Sequence, residues 1–436
     1  MGHRFKWWVA LAPTGLAFAL ASGAGGAEVF EIPADEPPSA SLSAAQVSGP
    51  AFHVEAPVHS DGLMHRYVID SRFGSFSAYG TDALNTRLRE IAALTTLANT
   101  SESQVVLESV MRGLRGEAKA VVRVASHPVG TLIEIPTGIG HLLGGYRAQA
   151  EEVTTEVTRT VTSRRTSSAG EPKEGTFARA EAGATQAARS GADRYLGLSD
   201  AERRWYGKLG VDPYTDNVVL RRTVARLAKV DAAASLGMRF APVGIPFAGE
   251  VQRALDAIDR EDPAVLRKRR REALLRVGLS AEEVERFEHT PLLTPTRQTL
   301  LADVLQSLNG VDGRAELVRH AMGVRSEEET EVFFNSVLLL VRFHAHRPVE
   351  GILTGVRIPA AQAAEGRIVV FGAFDAVQWT DDVAGYEHSL REALPHTGAR
   401  ELWISGTVSS RARAALEERG WSVHDRTGAA LVTALQ

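Results

Sequence analysis

Residues 400–425 restrict the fold most, because their pattern predicts a complete strand, helix and strand. The apolar run 402–404 ends at a turn around Gly406, and apolar residues then repeat at helical spacing until Gly420. The next strand begins at Trp421, after so short a break that the two strands should lie parallel and be joined by a right-handed crossover. We therefore expect α/β structure in this part of the chain.

The composition is that of an ordinary globular protein. The 436 residues are enough for two or three domains, and 44% of them are hydrophobic, so a sizeable core can form. The formal net charge of −4 does not favour a polyanion, and we predict no nucleic-acid partner. The absence of cysteine excludes disulfides, thiolate metal sites and cysteine nucleophiles.

The first 27 residues have the pattern of a signal peptide. A positively charged start ending at Lys6 precedes the apolar stretch 7–21, and the small residues 25–27 place a cleavage site before Glu28. The apolar stretch is shorter than the ~20 residues that a membrane-spanning helix needs, although a retained anchor stays open. Together with the lack of cysteine, this pattern predicts a bacterial protein that is periplasmic or secreted.

The chain as a whole is predicted to be α+β and mostly α-helical. We expect an N-terminal β-hairpin with helices, a helical middle, and a small C-terminal α/β domain with a βαβ unit. The predicted division is a signal peptide at 1–27, a flexible tether at 28–57, an α+β segment at 58–150, a linker at 151–175, a helical domain at 176–346 and the C-terminal domain at 348–436.

Several elements are predicted with definite bounds. Alternating residues indicate a hairpin at 64–79, and helical spacing indicates a helix at 82–97. Residues 332–343 are apolar on most sides, which is typical of a buried helix. Helix starts are predicted by cap residues at 199, 262, 280, 294 and 326. The C-terminal strands are predicted at 352–358, 368–374, 402–404, 421–423 and 430–433.

A candidate catalytic site lies at the ends of two predicted strands. Asp375 follows the strand 368–374, and Ser405, Gly406 and Thr407 follow the strand 402–404. Open α/β sheets bind ligands at these carboxyl ends. The arrangement superficially resembles haloacid-dehalogenase-type phosphatases, which would imply an Asp375 nucleophile. Val377 stands where that family has a second acidic residue, so the resemblance is incomplete.

A milder interpretation is anion binding at the start of the helix that follows Gly406. Backbone N–H groups at a helix N-terminus attract anions, and Ser409 and Ser410 would add hydroxyls. Every turn from strand to helix offers the same geometry, so a purely structural turn is favoured. The combined candidate site comprises Asp375, Ser405, Gly406, Thr407, Ser409 and Ser410.

Other motifs do not indicate a cofactor or a metal. The glycines between 138 and 145 do not have dinucleotide-loop or phosphate-loop spacing, and favour close helix packing or weak contact with a membrane surface. His344 and His346 would point to different helix faces, and no further metal-ligand spacing occurs. The basic run 267–271 is flanked by acidic residues, which favours a solvated surface or a protein partner.

The function predicted first is therefore a non-enzymatic exported protein with a structural, binding or envelope-assembly role. The alternative is a hydrolase or anion-binding enzyme that uses Asp375 with the hydroxyls at 405, 407 or 409. The distance between those groups, and whether they open into a cavity, separates the two predictions.

Overall fold

The computed structural model describes residues 28–99, 101–121, 139–143, 198–229 and 249–427. Those from Glu31 onward belong to one compact unit. They are mostly helical with three sheets, which confirms the predicted α+β class. In these five ranges, no helix combines the length and the apolar character needed to cross a membrane.

The N-terminal sheet is antiparallel and centred on its longest strand. β4 pairs with β2 and β3 along one side and with β5 along the other, while β1 extends the sheet from β2. The five strands are β1 (Ser48–Gly49), β2 (Phe52–Val54), β3 (His59–Ser60), β4 (His65–Ser71) and β5 (Gly74–Tyr79). Tyr67 pairs with Ala78, so the predicted hairpin at 64–79 is confirmed in the register that its alternation requires.

The structure corrects the prediction of a flexible tether at 28–57, because much of this segment is ordered in the N-terminal sheet. A short helix α1 (Ala44–Val47) leads into β1, and β2 pairs with β4. Leu42 and Val54 are buried. The segment is too short to show a period of its own, and its strands form because β4 supplies their hydrogen-bond partners.

The helices occupy the middle of the chain and contribute most of the core. They are α2 (Thr81–Ala98), α3 (Ser101–Val121), α4 (Gly140–Leu143), α5 (Asp200–Leu209), α6 (Val218–Lys229), α7 (Gly249–Arg260), α8 (Pro263–Arg276), α9 (Ala281–Glu288), α10 (Pro295–Ser307), α11 (Ala315–Met322) and α12 (Glu327–His346). The predicted helix at 82–97 is α2. As predicted, the side chains of Ser199, Asp262, Ser280, Thr294 and Ser326 cap their helices.

Helix α12 is the buried helix predicted at 332–343. Phe333, Leu340 and Phe343 have at most 1% of their surface exposed. The helix packs against the C-terminal sheet, where the ring of Phe343 meets that of Phe371 edge to face at 5.3 Å. This contact fixes the helix against the strands that carry the candidate site.

The C-terminal sheet has the strand order β12-β10-β8-β7-β6. Its strands are β6 (Val349–Ile352), β7 (Ala360–Ala363), β8 (Arg367–Gly372), β10 (Arg400–Ile404) and β12 (Trp421–His424), and two further helices are α13 (Asp381–Ala393) and α14 (Ser410–Glu418). β8, β10 and β12 are parallel, β7 pairs antiparallel with β8, and β6 pairs antiparallel with β7. The predicted unit of β10, α14 and β12 is confirmed.

One predicted strand is wrong, and one other predicted strand cannot be compared with the structure. Residues 352–358 were expected to be a strand, but β6 ends at Ile352 and an irregular loop follows. Gly355 in this loop has φ 88°, a left-handed conformation that interrupts a strand. The strand at 430–433 and the linker at 151–175 lie outside the described residues, so the division into domains stays a prediction.

Candidate functional site

A cavity of about 650 Å³ opens at the carboxyl ends of β8 and β10. It is bounded by the strand ends, by α12 and by the start of α2. Five of the six predicted site residues line it, namely Asp375, Ser405, Gly406, Thr407 and Ser409. Ser410 is exposed in the first turn of α14 and is not among the lining residues.

Asp375 joins the C-terminal sheet to the N-terminal part of the chain. Its Oδ2 accepts a hydrogen bond from the backbone N–H of His65 at 3.0 Å. The N–H of Thr81, the first residue of α2, lies 3.1 and 3.2 Å from the two carboxylate oxygens. The carboxylate therefore caps the positive end of a helix, and both of its oxygens already accept backbone hydrogen bonds.

Gly406 lies where two loops meet closely. A side chain at this position would overlap the backbone carbonyl oxygen of Asp375. The two loops pair as short parallel strands, β9 (Ala376–Val377) and β11 (Thr407–Val408). Glycine is required here by space alone.

The backbone N–H groups considered for anion binding already have partners. Those of Gly406, Thr407 and Ser409 each donate to a backbone carbonyl oxygen at 2.9 Å, on Phe374, Asp375 and Val377 respectively. In this conformation the three groups hold the two loops together, and an anion would have to displace those bonds.

The hydroxyls are also engaged in the structure. Ser405 donates to the Phe374 carbonyl oxygen at 2.9 Å, and Thr407 lies 3.4 Å from that of Asp375. Ser409 donates to the Glu31 carboxylate at 2.6 Å and accepts from the N–H of Ala412 as the cap of α14. Within the described part of the chain, none of these three hydroxyls is hydrogen-bonded to the Asp375 carboxylate or to a histidine.

A buried histidine on β4 adds a second wall to the cavity. His65 Nε2 lies 3.6 Å from Glu36 Oε1, and Nδ1 lies 3.8 Å from Asp375 Oδ2. The Tyr67 hydroxyl is 3.2 Å from Nδ1 and 3.1 Å from the Thr81 hydroxyl. Burial and the nearby charge of Asp375 raise the pKa of Tyr67, so the phenol stays protonated.

Two charged side chains from other helices complete the site. Asp82, in the first turn of α2, is exposed on the cavity surface. Solvent reaches Asp82 through the opening of the cavity, but the protein around the carboxylate still desolvates it in part. This desolvation, together with the negative charge of Asp375, raises the pKa of Asp82 to about 6. Arg342 on α12 also lines the cavity, and it lies 3.4 Å from the carboxylate of Glu250.

These additional residues were not predicted from the sequence. Glu36, His65 and Asp82 come from the first quarter of the chain, and Arg342 lies on a helix predicted only as core. Asp82 is an acidic residue in the first turn of a predicted helix. Acidic residues are common there because they interact favourably with the helix dipole, so the position alone did not indicate a site. No pattern indicated that this turn would face Asp375.

The other motifs have structural explanations where they are described. Three arginines of the basic run contact Glu261, Thr299 and Glu288, which leaves Arg267 and Lys268 exposed.

His344 Nδ1 accepts a hydrogen bond from the Val349 N–H at 3.1 Å. Within the described ranges, no group of three or more metal-ligating side chains could hold an ion. Ile139 and Leu142 of the glycine-rich segment are buried, whereas residues 144 and 145 lie outside the described part.

The cavity thus combines carboxylates, a histidine, an arginine, hydroxyls and the apolar surfaces of Leu338, Leu339 and Phe374. Small-molecule sites combine apolar walls with a few polar groups that orient the ligand, and this cavity has lining of both kinds. No protein-family model, curated protein or solved structure matches the chain.

Proposed function

We propose that this protein is an exported, non-enzymatic binding protein and that the cavity at the strand ends holds its small-molecule ligand. The observation that carries the proposal is the cavity of about 650 Å³, which lies within the size range of ligand pockets. Its walls come from sequence-distant segments, 36–41, 65, 81–82, 335–342, 373–378 and 405–409.

The contacts of the candidate catalytic groups favour binding over hydrolysis. Both oxygens of Asp375 accept backbone hydrogen bonds, which stabilise the charged carboxylate and make it a weaker nucleophile. A nucleophilic hydroxyl needs a neighbouring base, whereas Ser405 donates to a carbonyl oxygen. These groups support the shape of the cavity.

Export is the second part of the proposal. It is supported by the charged start, the apolar stretch 7–21 and the small residues before Glu28. The absence of cysteine is compatible with any compartment and fits a periplasmic or secreted protein stabilised by its core. N-terminal sequencing of the protein from exporting cells should give Glu28 as the first residue, and a chain that starts at Met1 in the membrane fraction would contradict this.

The binding proposal is tested by filling the cavity. Ala40 is exposed in a short 3-10 helix and lines the cavity, so tryptophan at this position adds bulk without removing core contacts. Ser39 is its exposed neighbour and does not line the cavity, which makes Ser39→Trp the matched control. The full chain is screened against a library of small polar and amphipathic molecules by ligand-observed NMR.

We expect compounds that bind the wild type and Ser39→Trp equally and bind Ala40→Trp at least about tenfold more weakly. Thermal unfolding of the three proteins in the absence of compounds checks that they are equally folded. A library without any binder, or binders that do not distinguish Ala40→Trp from the wild type, would refute the proposal.

A further inference from the structure

The cavity wall formed by the strand ends offers acceptors to a ligand. A hydroxyl has one hydrogen to donate and two lone pairs with which to accept. The hydrogens of Ser405 and Ser409 are directed to a carbonyl oxygen and to the Glu31 carboxylate, at 2.9 and 2.6 Å. What Ser405 presents to the cavity is therefore a lone pair.

The backbone of the same wall also has few hydrogen-bond donors to offer a ligand. The N–H groups of Gly406, Thr407 and Ser409 all donate to carbonyl oxygens of the 374–377 loop. A ligand that needs several donors from this wall, such as a phosphate or a carboxylate, would have to break the pairing of β9 with β11. A ligand that brings its own donors would leave that pairing intact.

The charges of the lining side chains point in the same direction. Glu36, Asp82 and Asp375 are acidic, and Arg342 is the single guanidinium among the described lining residues. Arg342 is mostly buried and lies 3.4 Å from the Glu250 carboxylate, which offsets much of its charge. Desolvation first and the negative charge of Asp375 second raise the pKa of Asp82, which agrees with the acidic lining of the site.

We infer that the ligand is a small organic cation, a protonated amine that carries an apolar group. Its N–H groups would be received by Asp82 and by the lone pairs of the strand-end wall, and its apolar part would lie against Leu338, Leu339 and Phe374. This inference rests on the proposed function and adds the chemical class of the ligand.

The test uses three probes of one shape that differ in charge. Phenethylamine is a cation, 2-phenylethanol is its neutral analogue and 3-phenylpropionate is an anion. Binding to the full chain is measured by isothermal titration calorimetry at about pH 8, where Asp82 is ionised. We expect the amine to bind at least about tenfold more tightly than the alcohol, and the carboxylate to bind most weakly.

Asp82→Asn removes the charge with little change of shape. We expect it to weaken binding of the amine about tenfold and to leave binding of the alcohol unchanged. Asp382→Asn is the matched control, because Asp382 is also the second residue of a helix and does not line the cavity. Asp382→Asn should leave the affinity for all three probes unchanged.

Equal binding of amine and alcohol, or tightest binding of the carboxylate, would overturn the cation assignment and leave the small-molecule site standing. Failure of all three probes would also overturn it, while the proposed function would still be judged by the response of the library binders to Ala40→Trp.

Discussion

The backbone N–H of Thr81 donates to the carboxylate of Asp375, 294 residues further along the chain. The contact places the positive end of α2 on a negative charge at the end of β8. It connects the N-terminal sheet to the C-terminal one, and a cavity lies beside it.

Replacing Asp375 should therefore destabilise the protein. In Asp375→Asn one carboxylate oxygen becomes an NH₂ group that faces a backbone donor, and we expect a loss of about 1 to 3 kcal/mol in the free energy of unfolding. Urea titration followed by circular dichroism measures it. Asp70→Asn is the control, since Asp70 is half-exposed on β4 and should change stability by less than about 0.5 kcal/mol. Equal midpoints for the two variants would show that the cap contributes nothing.

The sequence predicted the strand-end site only in part. Asp375 and Gly406 were expected at one edge because consecutive parallel strands end on the same side of a sheet, and they do meet. Hydrophobic periodicity likewise predicted α12, since it depends on neighbouring residues only.

What the sequence could not supply is the packing of distant segments on that edge. His65 lies at the start of a hairpin and Asp82 in the first turn of a helix. The local sequence pattern does not indicate which distant segment will pack against either residue. Gly406 was interpreted as a turn residue, whereas the structure requires it for the approach of the Asp375 backbone. That requirement depends on a loop about 30 residues earlier in the chain.

Gly406→Ala should be destabilising for a steric reason. The added methyl group would overlap the Asp375 carbonyl oxygen and force β9 away from β11, and overpacking of this kind costs about 1 to 3 kcal/mol. Gly385→Ala is the matched control, because a methyl group there meets nothing within 4 Å and lies inside α13. It should stabilise the protein by about 0.5 to 1 kcal/mol through helix propensity. Thermal and urea unfolding of both variants would show whether their effects have opposite signs, and equal effects would refute the steric argument.

Binding of an amine in the cavity should weaken as the pH falls through about 6. Asp82 has a raised pKa near this value, so it loses its negative charge in this range. The charged groups that act on it are Asp375 and Glu331, which raise the pKa, and Arg342 and Arg89, which lower it. Calorimetric titration of phenethylamine between about pH 8 and about pH 5 should show a steeper loss of affinity for the wild type than for Asp82→Asn. Parallel curves for the two proteins would contradict the assignment of the pH dependence to Asp82.

The stability of the fold should also depend on pH through His320. This residue is buried on α11, and burial, with Arg357 and Arg319 nearby and Glu316 opposing them, lowers its pKa to about 4. The unfolded chain binds a proton at His320 below about pH 6.5, whereas the folded protein does so only below about 4, so stability is lost as the pH falls between these values. The expected loss is about 2 to 4 kcal/mol.

The measurement is the urea midpoint at several pH values for the wild type, His320→Leu and the exposed control His396→Gln. His320→Leu changes stability at every pH, but it removes the group that titrates, so its curve between about pH 6.5 and about pH 4 should be flatter than that of the wild type. His396→Gln should reproduce the wild-type slope, because it replaces an exposed histidine and leaves His320 in place. If His320→Leu kept the wild-type slope, the acid sensitivity would come from groups other than His320, and the role given to this buried histidine would be wrong.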